Sequence, residues 1–259
     1  MAKKQSRPIV MTIAGHDPTG GAGIQADMEA INYTGCHPVS VISCLTVQNT
    51  QNVQAIQCID PDFILQQAET VLADMPVKII KLGLLGDIHT IEAVGQLLKQ
   101  HPNIPAVFDP VLAAGGGTDL STEDLINSIK EQLLPLTTLL TPNIPEAIKL
   151  GIIEKKSSQK TMTLKHQACE NILITGTHSD STQVHNSLFN DGKELDKSSW
   201  RRLEHEYHGS GCTLASSIAG CLAQGFSMKY AVKRGQEFTW DSLRRAQKLG
   251  KGQYIPYRI

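Results

Sequence analysis

Apolar and polar positions along the chain follow two patterns, one typical of strands and one typical of helices. Short apolar runs rich in β-branched residues cover residues 9–14, 39–47, 78–82, 106–108, 137–140 and 172–175. Helix-length segments cover residues 24–33, 61–73, 89–99, 121–134, 211–224 and 228–248. Strands that alternate with helices over most of a chain form a mostly parallel sheet with helices on both faces. The pattern therefore predicts an α/β fold.

Local signals mark where some of these elements begin or turn. Asp60 is a candidate N-cap of one helix, and Ser121 with Asp124 has the spacing of a capping box for another. The sequence Asn-Asp-Gly at 190–192 is typical of a tight hairpin turn. The antiparallel strands predicted around that turn cover residues 183–189 and 193–202.

Composition narrows the class of protein. The 259 residues carry a net charge of −1, which gives no electrostatic footprint for nucleic acid or a membrane surface. No apolar run approaches the roughly 18 residues of a transmembrane helix, and no secretory signal fits the start of the chain. The six cysteines have no metal-binding spacing, so we interpret them as reduced thiols of a cytoplasmic protein. We expect one domain over residues 1–259, with the polar stretch 153–161 as a surface loop.

Polar and glycine-rich loops follow the predicted strands at the ends where ligands bind in parallel sheets. These loops are residues 15–23, 48–50, 83–84, 109–110 and 143–146. The first lacks the spacing of a dinucleotide-binding or a P-loop motif, so it predicts close approach of a small ligand to backbone. Asp27, one turn into the next helix, is either a ligand contact or a solvated first-turn acid.

Residues 208–213 read His-Gly-Ser-Gly-Cys-Thr and open a helix of small residues. The unpaired N–H groups and dipole of a helix N-terminus bind anions, most often phosphate. The same environment predicts a lowered pKa for Cys212, which makes it a candidate base or nucleophile. The alternative is a glycine turn before a buried helix, with Cys212 as a small core residue.

Asp109 and Glu146 each follow an adjacent predicted strand. Two such acids suit a magnesium ion held through water and substrate phosphates. Each acid also has a structural explanation, because Glu146 favours the dipole of a helix first turn and Asp109 suits a turn before proline.

Taken together, the motifs resemble the hydroxymethylpyrimidine kinase/phosphomethylpyrimidine kinase family of thiamine biosynthesis, within the ribokinase-like superfamily. The matching motifs occur in family order at residues 12–27, 45–50, 77–85, 108–111, 140–147 and 208–214. The resemblance implies a three-layer ribokinase-like fold, ATP and Mg²⁺ as cofactors, and a homodimer. It implies phosphorylation of 4-amino-5-hydroxymethyl-2-methylpyrimidine, and in many members a second phosphorylation of the resulting monophosphate.

The resemblance also implies roles for matching residues. Those implied to contact the aminopyrimidine or pack near its ring are Gly15, Asp27, Val47, Gln48 and Leu84. Those implied for the nucleotide and magnesium are Asn143, Asp109 and Glu146. The backbone amides implied to stabilise the transferred phosphoryl group are those of Gly209, Ser210, Gly211 and Cys212. Cys212 is also implied to accept the proton of the substrate hydroxyl.

Two positions depart from the family pattern. His16 stands where the family usually has Ser, and Thr175 stands where a lysine followed by two glycines is usual. That lysine is thought to touch the nucleotide phosphates, so Thr175 is the candidate residue at that place. Because a second transfer must hold an anionic substrate, its loss favours phosphorylation of the alcohol over the monophosphate. His16 or Lys81 is a possible substitute contact for a substrate phosphate.

Two further functions stay open from the sequence. A pyridoxal-type kinase is the first, because the superfamily branch with cysteine at position 212 includes enzymes acting on pyridoxal. A pyrimidine-binding regulatory protein without turnover is the second, because fold does not fix function. Residues 115–117, three glycines just after Asp109, are a candidate mobile loop over the site.

Overall fold

A computed structural model describes residues 7–154, 164, 169–176 and 181–259. In this part of the chain nine strands form one sheet in the order β3-β2-β1-β4-β5-β6-β7-β8-β9. The strands are β1 Ile9–His16, β2 His37–Gln48, β3 Val53–Cys58, β4 Val77–Leu82, β5 Ala106–Phe108, β6 Leu139–Leu140, β7 Asn171–Thr175, β8 Gln183–Asn190 and β9 Lys193–Arg201. Strands β2, β1, β4, β5, β6 and β7 are parallel, and the strands at both edges are antiparallel.

Helices cover both faces of this sheet. They are α1 Gly23–Tyr33, α2 Pro61–Asp74, α3 Ile88–Gln100, α4 Glu123–Ser128, α5 Ile144–Lys149, α6 Ser210–Ala223 and α7 Met228–Arg244. One face carries α1, α6 and α7, and the other carries α2 to α5. The predicted α/β fold with a mostly parallel sheet is therefore confirmed.

The central strands are apolar throughout because each of their faces meets a helix layer. In β1, Val10 packs with the α1, α6 and α7 side, and the next residue, Met11, packs with the α2 and α3 side. In β4, Ile79 and Ile80 divide in the same way. The alternation buries two separate cores, one on each side of the sheet.

The described elements differ from the predicted ones at three places. Strand β3 was not predicted, because its side chains are mostly exposed and it pairs only with β2 at the sheet edge. The predicted helix over 121–134 divides into α4, a π-helical turn at Ile129–Leu133 and a 3₁₀ turn at Leu134–Leu136. Helix α7 ends at Arg244, before the predicted residue 248.

The start of α4 also differs from the prediction, by one residue. Thr122, and not Ser121, caps α4, because its hydroxyl accepts from the Leu125 N–H at 3.2 Å while the Ser121 hydroxyl donates to Asp119 at 2.7 Å. The predicted cap of α2 is confirmed, since the Asp60 carboxylate accepts from the Phe63 N–H at 3.1 Å.

The predicted hairpin is confirmed as β8 and β9. Its turn places Asp191 and Gly192 at φ values of +46° and +74°, the positive values that a tight hairpin turn requires. Most of the polar stretch 153–161 lies outside the described residues. Among the described helices, none has both the length and the apolar character needed to cross a bilayer.

Candidate active site

The loops after the parallel strands meet the start of α6 at one edge of the sheet. Gly211 lies against Asp109, so that a Cβ at Gly211 would come within 3.2 Å of the Asp109 carboxylate. Residues 15–23 lie against the same helix start, where the backbone N–H of Gly23 donates to the sulfur of Cys212. The structure therefore brings the glycine-rich loop, the first magnesium-site acid and the candidate base together.

The start of α6 has the geometry of an anion site. Gly209 is its N-cap at φ +70°, and a Cβ there would lie 2.1 Å from the Gly21 carbonyl oxygen. Only glycine fits this position, because a side chain would clash and the left-handed backbone is unfavourable for other residues. No side chain within the described ranges caps this helix, so its first N–H groups are left for a ligand.

Asp17 and His208 hold the glycine-rich loop, and sequence analysis did not assign either residue a role. Asp17 accepts from the N–H groups of Thr19 and Ala22, both at 2.8 Å, and its other partner is His208 Nε2 at 2.9 Å. Burial raises the pKa of Asp17, but the bonds from His208 and Thr19 outweigh it and hold the pKa at about 2. Both residues lie inside motifs that the sequence had singled out, which was the available signal.

Cys212 differs from the sequence-based expectation. Burial raises the pKa of its thiol to about 12, which contradicts the predicted lowering. The charge of Lys81 opposes this rise, while the carboxylates of Asp27 and Asp109 add to it. The helix N-terminus is present as predicted, but desolvation and two nearby acids outweigh its effect.

A buried ion pair lies beneath Cys212. Both oxygens of Asp27 accept from Lys81 Nζ at 2.8 Å, and neither side chain is exposed. The hydroxyls of Thr12 and Ser216 also donate to Asp27, at 2.6 and 2.7 Å. Ser216 lies one helical turn after Cys212, so this network fixes the charge of Lys81 near the thiol.

This burial bears on two expectations. The idea that Asp27 is a solvated acid is wrong, because its side chain is 0% exposed. Its saturated carboxylate favours a positioning role over the direct contact that the resemblance implied. Lys81 is also 0% exposed and its charge is paired with Asp27, which argues against its contact with a substrate phosphate.

Asp109 has the one orphaned carboxylate oxygen of the described site. Its Oδ2 is buried with no hydrogen-bond partner among the described residues. Burial raises the pKa of Asp109 to about 7, with Glu146 and Asp27 adding to the effect and Lys81 opposing it. An unpartnered buried carboxylate oxygen is the kind of ligand that Mg²⁺ takes.

Glu146 and Asn143 form the capping box of α5. The Asn143 side chain accepts from the Glu146 N–H at 3.0 Å, and Glu146 Oε2 accepts from the Asn143 N–H at 2.9 Å. Glu146 Oε1 accepts from the Leu112 N–H at 3.2 Å, and burial raises the pKa of Glu146. Glu146 therefore has the structural role of a first-turn acid in α5. Its bond from Leu112 also joins it to the loop that follows Asp109.

These residues fit magnesium as a partial ligand set. No group of three or more His, Cys, Asp or Glu side chains in the described ranges is arranged to hold a metal ion. Magnesium usually takes one or two carboxylates together with water and substrate phosphates. Asp109 fits that description directly, and Glu146 fits it as a carboxylate that still has unused lone pairs.

Apart from Asp27 in α1, the residues implied for the pyrimidine ring lie at the ends of β1, β2 and β4. Gly15 lies against Leu84, since a Cβ at Gly15 would be 3.4 Å from the Leu84 side chain. Gln48 lines a small cavity together with His208 and Gly115. Val47 is 59% exposed on β2, so most of its side chain is open to solvent.

Thr175 and Asn143 lie side by side where β6 and β7 end. They form an isolated parallel bridge, and the Thr175 N–H donates to the Pro142 carbonyl oxygen at 2.9 Å. The departure from the family lysine therefore falls next to the residue implied to lie near the nucleotide phosphates. The residues 177–180 that follow are outside the described part.

The glycine run 115–117 packs between two other loops. The Gly115 carbonyl oxygen accepts from the Gln253 side chain at 3.0 Å, and a Cβ at Gly116 would lie 2.1 Å from the Gln51 carbonyl oxygen. Its movement during turnover stays a prediction.

Comparison with known proteins decides the family. Residues 17–257 match the family model described as phosphomethylpyrimidine kinase. The chain belongs to the phosphomethylpyrimidine kinase family. The match spans every loop of the site from Asp17 onward, and the resemblance found in the motifs is thereby confirmed.

Curated relatives agree with the family. The chain is 38% identical over 254 residues to the thiamine biosynthesis bifunctional protein ThiED of Geobacter sulfurreducens, covering 95% of this chain and 51% of that protein. It is 34% identical over 250 residues to the hydroxymethylpyrimidine/phosphomethylpyrimidine kinase of Salmonella typhimurium, covering 95% and 94%. The chain thus spans about half of the bifunctional relative and nearly all of the Salmonella kinase. Both relatives agree with the family assigned by the model match.

Solved structures agree with the fold. The ADP complex of Bacillus subtilis pyridoxal kinase superposes with a TM-score of 0.87 and 25% identity, covering 98% of each chain. The phosphomethylpyrimidine kinase of Clostridium difficile 630 superposes with a TM-score of 0.75 and 28% identity, covering 90% of this chain and 98% of that one. The ribokinase-like fold expected from the resemblance is therefore confirmed.

Proposed function

We propose that the protein transfers the γ-phosphoryl group of ATP to the hydroxymethyl oxygen of 4-amino-5-hydroxymethyl-2-methylpyrimidine. The observation that carries this proposal is the meeting of Cys212, the orphaned Asp109 oxygen and the uncapped start of α6 beside the glycine-rich loop. Phosphoryl transfer needs positioning and electrostatic stabilisation more than covalent chemistry from the protein. Each of the three features supplies one part of that need.

The start of α6 is placed to stabilise the transferred group. In the proposed reaction the substrate oxygen bonds to the γ-phosphorus as the bond to the β-phosphate oxygen breaks, which releases ADP. Negative charge on the phosphoryl oxygens then meets the backbone N–H groups of residues 209–212. Such preorganised donors stabilise developing charge without reorganisation during the step.

Cys212 is the proposed acceptor of the hydroxyl proton. The thiolate form must be reached from a thiol whose pKa is about 12 in the free protein. The buried ammonium of Lys81 favours the thiolate, and its bond to Asp27 holds it in place. We therefore assign Lys81 and Asp27 as positioning residues of the base.

Asp109 and Glu146 are the proposed carboxylates for Mg²⁺. A bound magnesium ion would neutralise charge on the nucleotide phosphates. Asp109 would offer its unpartnered oxygen to that ion. The hydrogen bond from the Leu112 N–H to Glu146 holds the Glu146 carboxylate in a fixed orientation.

The preference between the alcohol and its monophosphate depends on the positive charge available to hold a second phosphate. Thr175 has no charge to offer a phosphate, and the Lys81 ammonium is buried against both carboxylate oxygens of Asp27. We propose that the alcohol is the better substrate and the monophosphate the poorer one. From the resemblance we also propose a homodimer in the cytoplasm.

A coupled assay of ADP formation with ATP and magnesium tests this function. Hydroxymethylpyrimidine, its monophosphate and pyridoxal are supplied separately, and the products are identified by mass. We expect the alcohol to turn over fastest. Equal rates for alcohol and monophosphate would contradict the proposed order, and turnover of none would contradict the kinase itself.

Pyridoxal kinase activity is the second candidate. The observation that favours it is the closer superposition on the B. subtilis pyridoxal kinase than on the C. difficile phosphomethylpyrimidine kinase. In the same assay, faster turnover of pyridoxal than of the pyrimidine alcohol would favour this candidate.

A further inference from the structure

Arg258 lies in the segment that follows α7, and its guanidinium is completely buried. It makes three hydrogen bonds to three different elements. Nε donates to the Thr213 hydroxyl at 2.8 Å, Nη2 donates to the Gly21 carbonyl oxygen at 2.5 Å, and Nη1 donates to Glu29 at 3.1 Å. One side chain therefore joins α6, the glycine-rich loop and α1.

Two of these contacts are on the two walls of the proposed site. Thr213 follows Cys212 in the first turn of α6, and its hydroxyl donates to the Gly209 carbonyl oxygen at 2.7 Å while it accepts from Arg258. Gly21 lies in the loop whose last residue, Gly23, donates to the sulfur of Cys212. Arg258 thus bridges the wall that carries the base and the wall that faces the substrate.

The ion pair of Arg258 with Glu29 contributes little to the folding stability of the protein. Burying a guanidinium costs hydration energy comparable to the gain from a good ion pair. Its one carboxylate partner, Glu29, is 43% exposed, and such half-exposed pairs contribute little. The two remaining acceptors, the Thr213 hydroxyl and the Gly21 carbonyl oxygen, are neutral. The main effect of the side chain is therefore to fix the position of the glycine-rich loop relative to α6.

The segment around Arg258 has anchors of its own. Gln247 and Ile255 exchange two backbone hydrogen bonds, both at 2.9 Å, and the Tyr257 N–H donates to the Ser242 carbonyl oxygen at 3.1 Å. The Gln253 N–H also donates to the Thr50 carbonyl oxygen at 2.8 Å. Replacing the Arg258 side chain therefore removes the bridge while the backbone segment keeps its place.

We propose that Arg258 is a positioning residue that locks the glycine-rich loop against the first turn of α6 during phosphoryl transfer. This inference rests on the proposed kinase function. When the lock is lost, the loop no longer holds the substrate hydroxyl in line with the γ-phosphorus. Water then takes the place of the hydroxyl, and ATP is hydrolysed to ADP and phosphate without phosphorylation of the pyrimidine.

The test compares Arg258→Met with Glu29→Gln as a matched control. Glu29→Gln removes the ion pair but leaves both bridging contacts of Arg258. For Arg258→Met we expect kcat to fall by about 10- to 100-fold, as small misplacements of reacting groups do, with a smaller change in KM. We also expect more ADP than phosphorylated product, and faster hydrogen exchange at the amides of residues 19–23. Glu29→Gln keeps one ADP per product.

Arg258→Lys is the second variant, because it keeps the charge but cannot bridge Thr213 and Gly21 together. It is expected to show the same excess of ADP in a protein that folds. Wild-type kcat, one ADP per product and unchanged exchange in both Arg258 variants would overturn the lock. If the wild-type protein phosphorylates no substrate, the proposed function fails, and the exchange measurement still reports separately on the lock.

Discussion

Cys212 sits between opposing charges, and that balance decides how it can act. Burial and two carboxylates raise the pKa of the thiol, while Lys81 lowers it. A base with a high pKa is strong once it is deprotonated, but only a small fraction of it is ready at neutral pH. The residue is therefore suited to a slow, well-positioned proton transfer.

This balance predicts a pH profile. The thiolate fraction of a group with a pKa of about 12 rises about tenfold for each pH unit below that value. We expect kcat/KM for the pyrimidine alcohol to rise between about pH 7 and pH 9 in a steady-state titration. Cys212→Ser shifts the rise further toward alkaline pH, and a flat wild-type profile would show that this thiol is not the base.

The ionised form of Asp109, which the proposed magnesium site needs, lowers the stability of the folded protein because the carboxylate is buried. Burial holds the folded-state pKa of this carboxyl at about 7, above its ordinary value of 3.8, so between these two pH values the folded state holds a proton that the unfolded state releases. Stability is therefore lost as pH rises toward 7, and this cost is complete above that pH. Asp109→Asn should raise the free energy of unfolding at about pH 8 by about 1–3 kcal/mol and abolish turnover.

Urea denaturation with a chelator present measures this effect without magnesium. The two proteins should converge below about pH 3, where the wild-type carboxyl is largely protonated in both the folded and the unfolded state. A variant less stable than wild type at pH 8 would contradict the burial cost assigned to Asp109.

The close packing of the start of α6 on the glycine-rich loop, where we propose the anion site, depends on one glycine. At Gly209 a methyl group would meet the Gly21 carbonyl oxygen at 2.1 Å in a backbone with φ +70°. Gly225 is a matched control, since its φ is +86° and a Cβ there meets nothing within 4 Å. We expect Gly209→Ala to lower stability by about 1–3 kcal/mol and to remove activity, while Gly225→Ala shows only the backbone cost of about 1 kcal/mol. Equal losses of activity in the two variants would contradict the close packing of the loop on α6.

The elements that sequence predicts well are those with two buried faces. Runs such as 78–82 are apolar because both sides of the strand meet helices, and β4 lies where the run predicts. Strand β3 escaped prediction because it packs only on β2 and exposes most of its side chains. The Asp27–Lys81 pair joins residues 54 positions apart, and no local pattern shows that contact.

Contacts between distant segments also explain why the predicted lowering of the Cys212 pKa was wrong. Its place at the start of a helix is visible in the sequence, and that part of the prediction is correct. Its burial beside Asp109 and Asp27 depends on how three loops fold together. Charge environments built from distant segments need the structure.

At the scale of the whole molecule, the candidate site residues lie together at the carboxyl ends of the parallel strands. Six parallel strands deliver their following loops to the same side, and α6 enters that edge with its N-terminus. The segment after α7 returns to this edge, where Arg258 and Gln253 contact the loops of the site. The core layers thus serve as a rigid frame for loops that come from most of the chain.

The measurement that tests this account most directly compares wild type with Cys212→Ala under magnesium and ATP. Product formation from the pyrimidine alcohol is followed by mass, and binding of the alcohol is measured by calorimetry. The account predicts that wild type forms the monophosphate, and that the variant binds the alcohol with similar affinity but loses turnover by about 100-fold or more. Turnover by the variant at the wild-type rate would contradict the central claim that Cys212 accepts the proton in this site.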